Sequence, residues 1–483
     1  MKHISLILLP LAGALISVLW PGNRSRPWIM VATSAVHTIL CLWMLIDPPV
    51  VQVQQYLGFD PVARAILPCV SLLFLLVSFY GVSYLNLHPD RPNRVFVGPM
   101  LCILGLLSAG HQARHLGVLW IATEGVTLAA IPLLHFAKTA RAYEATWKYL
   151  LVGGSGIALS LLGSFCMGYA SLHSGGHGDL FFASLIQDGP TLTRPWLLTS
   201  WVLLLAGYGT KMGLAPMHTW KPDTYGEAPG IVGAVLAGGV TTVAFTALLR
   251  VRAVVVASGA GGAADLSLMA IGLFSMLVAA LFLLGTRDYK RMLAYSSVEH
   301  MGILSFAVSL GPIGMWASLF HVWSNALTKG TLFLSASTIR RNAGTRTVDD
   351  TAGMALMAPR SSILFVTGLF AITACPPFAP FFSEITVLRS ALEYGHPWAA
   401  AGFLGCLFLA FLGMSRVVFA IIDARPKRSA RKTVRRKPEG IGVLLPPLIL
   451  ILMSLWLGLF TPEILQTAWT DAVSHLNPTL SKP

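Results

Sequence analysis

Four charged residues stand inside apolar runs of this 483-residue chain, where no water is at hand to solvate them. Glu124 lies in LWIATEGVTLAAIPLLHF, Lys211 in LLLAGYGTKMGLAPMHTW, Lys329 in FHVWSNALTKGTLFLSAS and Glu384 in CPPFAPFFSEITVLRSAL. A charge at bilayer depth costs about 3 kcal/mol or more, so each of the four points to function. Singly, each could be a paired structural charge or a side chain snorkelling to the interface. Four in one chain argue for chemistry. A buried lysine beside a carboxylate can cycle between its charged and neutral forms, because burial and the opposite charge pull its basicity in opposite directions. That is what a proton relay requires.

Two of the four sit beside prolines. Lys211 precedes Pro216 by five residues, and Glu384 follows Pro376, Pro377 and Pro380. Proline interrupts a helix, and broken helices at corresponding places in two halves of a chain point to an ion pathway. We expect Glu124 and Lys211 to lie within interaction range of each other, about 4–6 Å. His321, Asn325 and Lys329 recur every four residues and so form a stripe on one helix side. In lipid such a stripe should face the bundle interior, toward Glu384. The expected order of the relay is Lys211, then His321 and Lys329, then Glu384.

Other residues carry weaker signals. His218, in APMHTWKP just after Pro216, could exchange a proton at the mouth of a pathway. His300, next to Glu299 in SSVEH, forms a mid-span polar pair. His111 and His115 are four apart and invite a metal or haem reading, but no matching second pair is evident. His173 and His177 sit in a Gly-rich loop and read as surface polar residues. The six cysteines form no CxxC, so neither an iron–sulfur cluster nor a zinc site is expected. We expect no metal, no cofactor and no catalytic residue in this chain.

The elements that hold these residues are membrane helices. Hydrophobic residues make up 55% of the chain and charged ones 11%, with a mean hydropathy of +0.70. A soluble domain carries roughly 25% charged residues, so the expected fold class is an all-α polytopic membrane protein. About fourteen spans are expected, near 3–20, 27–47, 64–85, 95–110, 116–136, 147–170, 196–216, 229–250, 266–285, 292–310, 314–338, 361–392, 398–422 and 441–460. Lys2 ahead of the first apolar run suits a signal peptide, but no small-residue cleavage site follows cleanly, and we keep the run as a helix. Loops after odd-numbered spans hold most of the Lys and Arg, Lys221 and Lys290 among them, which places both termini outside the cytoplasm. Formal charge is +14, and eight basic residues lie between Arg425 and Lys437. That tract reads as a cytoplasmic loop rather than a nucleic-acid site. The remaining chain after Thr461 reads as a tail.

These residues resemble a known family. GYGTKMGLAPMHTWKPDTYGEAPGIVGAVLAGG, RDYKRMLAYSSVEHMGI, HVWSNALTKGTLFL and PPFAPFFSEITVLRSAL are similar, in order and spacing, to the signatures of the antiporter-like proton-translocating membrane subunits. That family spans complex I, Mrp-type antiporters and group 4 hydrogenases. WIATEGVTLAAIPLLHF and EATWKYLLVGGSGIALSLLG are most similar to its hydrogenase-4 component F branch. The resemblance implies two inverted five-helix repeats, spans four to eight and nine to thirteen, with the seventh and twelfth broken. It places a proton pathway on Glu124, Lys211, His321, Lys329 and Glu384. Asn325 stands where the family's HxxxHxxxK pattern has its second histidine, and Thr242 where many members carry a lysine.

The expected organisation is N-terminal helices over 1–94, a first antiporter-like half over 95–250, a second over 251–422, a basic cytoplasmic loop over 423–440, and a last helix with its tail over 441–483. The expected function is proton translocation as a membrane subunit of a respiratory-type or group 4 hydrogenase-like oxidoreductase complex. Its partners would be further membrane subunits and iron–sulfur and catalytic subunits. The expected location is a bacterial or archaeal plasma membrane. The alternatives are a subunit of a multisubunit cation/proton antiporter without redox chemistry, and an accessory subunit for inorganic-carbon uptake beside a large zinc protein.

Overall fold

The computed structural model of the chain describes residues 2–50, 55–87, 91–176, 178–351, 353–423 and 438–477. The basic tract at 425–437 and His177 lie outside the described residues. Six helices open the fold: α1 (Lys2–Leu19), α2 (Arg26–Ile46), α3 (Pro61–Asn86), α4 (Arg94–Gln112), α5 (Leu116–Leu134) and α6 (Ala140–His173). After the short α7 (Phe182–Gln187) come α8 (Arg194–Met212), α9 (Trp220–Glu227), α10 (Gly230–Val235), α11 (Thr241–Ala257), α12 (Gly261–Gly285), α13 (Tyr289–Val308) and α14 (Gly311–Ala343). Two single turns, α15 (Val348–Thr351) and α16 (Met354–Met357), lead to α17 (Pro359–Ile372), α18 (Ala379–Glu393), α19 (Pro397–Asp423), α20 (Ile441–Leu459) and α21 (Glu463–Leu476). Among the described residues there is no β-strand.

Ten of these segments are long and apolar enough to cross a membrane. They coincide with ten of the fourteen expected spans. The other four, at 196–216, 292–310, 314–338 and 361–392, are α8, α13, α14 and the α17–α18 pair. α8, α13 and α14 are long enough but less apolar, since they carry Lys211, Glu299, His300, His321, Asn325 and Lys329, whereas the break between Ile372 and Ala379 leaves α17 and α18 each too short to cross alone.

Helices in lipid gain little from mutual hydrophobic burial, so they associate where small residues let backbones approach. A Cβ added at Gly207 of α8 would lie 2.6 Å from the Gly156 carbonyl of α6, and one at Gly302 of α13 would lie 2.7 Å from that of Gly272 of α12. These two contacts set α8, which carries Lys211, against α6, and α13, which carries Glu299 and His300, against α12. At the start of α3, Asp60 accepts from Ala63 N at 2.9 Å and takes Arg250 of α11 in two bonds, at 2.5 and 3.0 Å. Burial raises the basicity of that carboxylate, but the Arg250 guanidinium, His475 and the Ala63 N–H together outweigh it and hold the group below its ordinary pKa.

Two expectations are corrected here. The stretch after Thr461 is not a tail: α21 buries Trp469 against Trp316, at 5.3 Å between ring centroids, and against Phe320, at 5.2 Å. Lys221 and Lys290 are not loop charges, since both are fully buried. In the sequence the breaks around them look like span ends, which gives both the appearance of loop residues.

Candidate functional site

The first buried cluster forms where the seventh span breaks. Gly213 takes a left-handed φ of 82° and ends α8. A cis Ala215–Pro216 peptide and a 3-10 turn, Met217–Thr219, follow before α9. Carbonyls freed by the break find new donors. Leu214 N donates to Gly209 O at 2.8 Å, Trp220 Nε1 to Thr210 O at 2.9 Å, and Lys221 Nζ to Met212 O at 2.6 Å. The last turn of α8 is thereby fixed, with Lys211 on it.

Lys211 Nζ lies 2.6 Å from Thr127 Oγ1 and 3.4 Å from Glu124 Oε2, both on α5. The expected pairing of Glu124 with Lys211 is present in the geometry. The lysine is buried, while the Glu124 side chain keeps 23% of its surface. Tyr149 of α6 faces the ammonium with its ring centroid at 5.8 Å. At Gly153, also on α6, a Cβ would come within 3.0 Å of Nζ, so the bare backbone leaves the ammonium its place.

The second cluster lies between α13, α14 and α18. His300 Nδ1 and His321 Nε2 are 2.9 Å apart, their rings stacked at 5.1 Å and 22°. His321 Nδ1 is 2.9 Å from Ser383 Oγ on α18. One ligand atom from each of His300, His321 and Glu384 falls within 4.8 Å of the others, and all three residues are buried. These are metal-ligand types, but both ring nitrogens of His321 are already engaged, so His300, His321 and Ser383 form a hydrogen-bonded chain that stops short of Glu384. Both Glu384 oxygens and Asn325 Oδ1 are buried without a hydrogen-bond partner. Lys329 Nζ reaches the Leu293 carbonyl of α13 at 3.4 Å and pairs with no carboxylate among the described residues.

Of the seven residues singled out from the sequence, the structure gathers Glu124 with Lys211, and His321 with Glu384. Asn325 and Lys329 continue the His321 side of α14. The stripe meets Glu384 only at its His321 end; Lys329 turns to α13 instead. His218 stands apart on the 3-10 turn, 6.2 Å from the Phe282 ring and 6.3 Å from that of Tyr295, with Nδ1 unpartnered. His111 and His115 do not converge. The His111 ring is held by Thr246 at 2.9 Å and Thr242 at 3.0 Å, whereas His115 caps α5 by accepting from Gly117 N at 3.0 Å.

Thr127, Tyr149, Lys221, Lys290, Ser297 and Ser383 escaped the sequence reading. His300 was visible there only as half of a polar pair. Lys290 donates to Gly226 O at 3.0 Å and also to Ala228 O. It lines a cavity of about 280 Å³ together with Glu227, Arg340 and Arg341. A second cavity, of about 740 Å³, shares Glu227 and is bordered by Lys148, Asp223 and Arg291. Lys148 bonds Asp223 at 2.8 Å, and Arg346 bonds Glu227 at 2.6 Å and Asp288 at 2.7 Å. Ionic side chains therefore surround the ends of α9 and α13, beside the buried lysines.

The family model described as NADH:quinone oxidoreductase/Mrp antiporter, TM, matches residues 113–410, which include all seven selected residues. The chain is 30% identical over 445 residues to the Hydrogenase-4 component F homolog of Methylacidiphilum infernorum, spanning 89% of this chain and 93% of that one. It shares its fold with a chain of the membrane-bound sulfane sulfur reductase, an archaeal respiratory membrane complex, at TM-score 0.88 and 20% identity over 99% of this chain and 98% of that one. It also shares its fold with a chain of the Mrp complex from Dietzia sp. DQ12-45-1b, at TM-score 0.86 and 20% identity over 99% and 97%.

Proposed function

The chain belongs to the NADH:quinone oxidoreductase/Mrp antiporter family, and we propose that within it the chain is the proton-translocating membrane subunit of an oxidoreductase complex. Electron transfer takes place in partner subunits that hold the iron–sulfur and catalytic centres. This chain moves protons in response. The observation that carries the reading is the pair of buried clusters, the first holding Lys211 where α8 breaks and the second joining His300 and His321 to Glu384 beside the break between α17 and α18, with Lys329 farther along α14. The likeness to a hydrogenase-4 component F homolog over nearly the whole chain supports the redox partner.

In this reading protons pass from the Glu124–Lys211 pair to Lys329, then through His300 and His321 to Glu384. Residues 95–250 and 251–422 are the two inverted halves, and 1–94 and 441–483 flank them. The chain sits in a plasma membrane with its basic tract on the cytoplasmic face. Purification through a tag on this chain tests the assignment. Redox subunits with iron–sulfur absorbance should co-purify. Recovery of membrane subunits alone, with no visible chromophore, would favour the second reading, a cation/proton antiporter, which the whole-chain likeness to the Mrp structure supports.

A further inference from the structure

Lys221 is fully buried and donates three hydrogen bonds, all to neutral oxygens, Met212 O at 2.6 Å, Ser297 Oγ at 3.1 Å and Ser297 O at 3.4 Å, with the Tyr225 ring centroid 5.7 Å from its Nζ. The first acceptor is the residue after Lys211, at the broken end of α8. The other two belong to α13, the helix that Lys329 also contacts. One side chain thus touches the backbone beside one buried lysine and the helix that the other contacts. The site is shaped for it: a Cβ at Gly213 would lie 2.5 Å from Lys221 Cδ and 2.8 Å from Nζ.

The register of α13 against α14 gives this position its meaning. His300 meets His321, and Leu293 meets Lys329, so the two helices run antiparallel with a constant index sum of 621–622. Ser297 therefore lies at the level of Asn325. Asn325 cannot titrate, and its Oδ1 has no partner. Lys221 enters at that level from α9. Along α13, Leu293 and Ser297 are four residues apart, a rise of about 6 Å, a gap that one water spans with two hydrogen bonds of about 3 Å each.

We propose that Lys221 is the proton-carrying link between the two halves, occupying the level of the second-half thread that Asn325 leaves without a titratable group. It accepts a proton from the Lys211 side as a neutral amine, becomes an ammonium, and releases that proton toward Lys329 or His300. No electrons move and the lysine returns to its starting form. This role rests on the proton-translocating reading above. The competing role is a fixed cation that caps the carbonyl at the end of α8, as cations do at helix C-termini.

The two roles order a set of variants oppositely. Arginine keeps the charge and the donors but does not give up its proton, whereas histidine is shorter and titrates. The intact complex, purified through this chain and reconstituted into liposomes, is given a potassium diffusion potential with valinomycin. Proton uptake is read with a luminal pH dye. For Lys221→Met and Lys221→Arg we expect uptake to fall at least about tenfold, as for loss of a positioned proton carrier. Lys221→His should retain part of the flux, declining as pH rises through about 6.5, the ordinary imidazole value. Lys221→Met/Asn325→His should recover flux over Lys221→Met. Wild-type uptake by Lys221→Arg or Lys221→Met overturns the link, and so does failure of all three single variants to assemble, which marks an indispensable cap. Lys211→Met and Lys329→Met separate the two levels of inference. If both are blocked while Lys221→Met is not, only the link fails; if both pump normally, the proton-translocating reading fails with it.

Discussion

The two buried clusters handle charge differently. In the first, Lys211 faces Glu124 and Thr127 directly, and the glutamate is partly open to its surroundings. In the second, Lys329 has one carbonyl at 3.4 Å, Glu384 has no hydrogen-bond partner, and all of the groups are sealed in. An opposite charge in contact offsets more of the cost of burying a lysine than one farther off; Lys211 has such a partner, and Lys329 has no carboxylate within ion-pair distance among the described residues. The first cluster can therefore hold a charge at rest, and the second is suited to passing one through. A proton path needs both, a place to load and a place from which the proton leaves readily.

If the contrast is real, substitutions should separate the clusters. Lys329→Met removes the only lysine of the second cluster, and coupled proton uptake should fall roughly 100-fold, the usual scale for loss of a positioned proton-transfer group. Electron transfer by the partner subunits, measured in uncoupled membranes, should fall far less, which shows that the complex still assembles. Lys211→Met should block uptake to a similar degree; normal flux in vesicles of this variant would remove the first cluster from the path. Glu124→Gln should be milder. Thr127 still holds the ammonium, and what goes is one charge-assisted contact worth about 1.5 kcal/mol, close to a tenfold loss of flux. Asn325→His should change least, because Asn325 Oδ1 has no partner to lose and a titratable group is added to the thread. A large loss in that variant, with assembly intact, would mean that the thread needs a non-titrating group there.

How much of this was legible in the sequence depended on whether a residue's neighbours were local. The spans were readable because twenty apolar residues in a row have one stable use in a membrane. Lys211 and Glu384 stood out because each combines a charge with a nearby proline in an apolar run. The Lys211–Glu124 contact joins residues 87 apart, and it could be anticipated because both charges were conspicuous. Thr127 was not conspicuous, since a threonine in an apolar helix usually bonds its own backbone, as this one also does to Thr123 O at 3.2 Å. Lys221 was hidden for the opposite reason. With Lys, Pro and Asp in succession after a break, it reads as a charge at the water boundary, and only the refolding of α9 beneath α8 buries it. His300 and His321 lie on adjacent helices, and nothing local to SSVEH or HVWSN says that the two rings stack. Likewise, α21 is an amphipathic helix too short to register as a span, anchored by a tryptophan whose partners lie far along the chain.

The claim on which the rest depends is that the two clusters act in series, as stations on one path. The most direct test is valinomycin-driven proton uptake by the reconstituted Lys211→Met/Lys329→Met double variant, measured beside the two single variants. A serial path predicts that each single substitution already blocks uptake and that the double variant is no slower than the slower single. If each single variant instead keeps about half of the wild-type flux and only the double abolishes it, as independent parallel routes would add, the clusters are separate paths and the account is wrong.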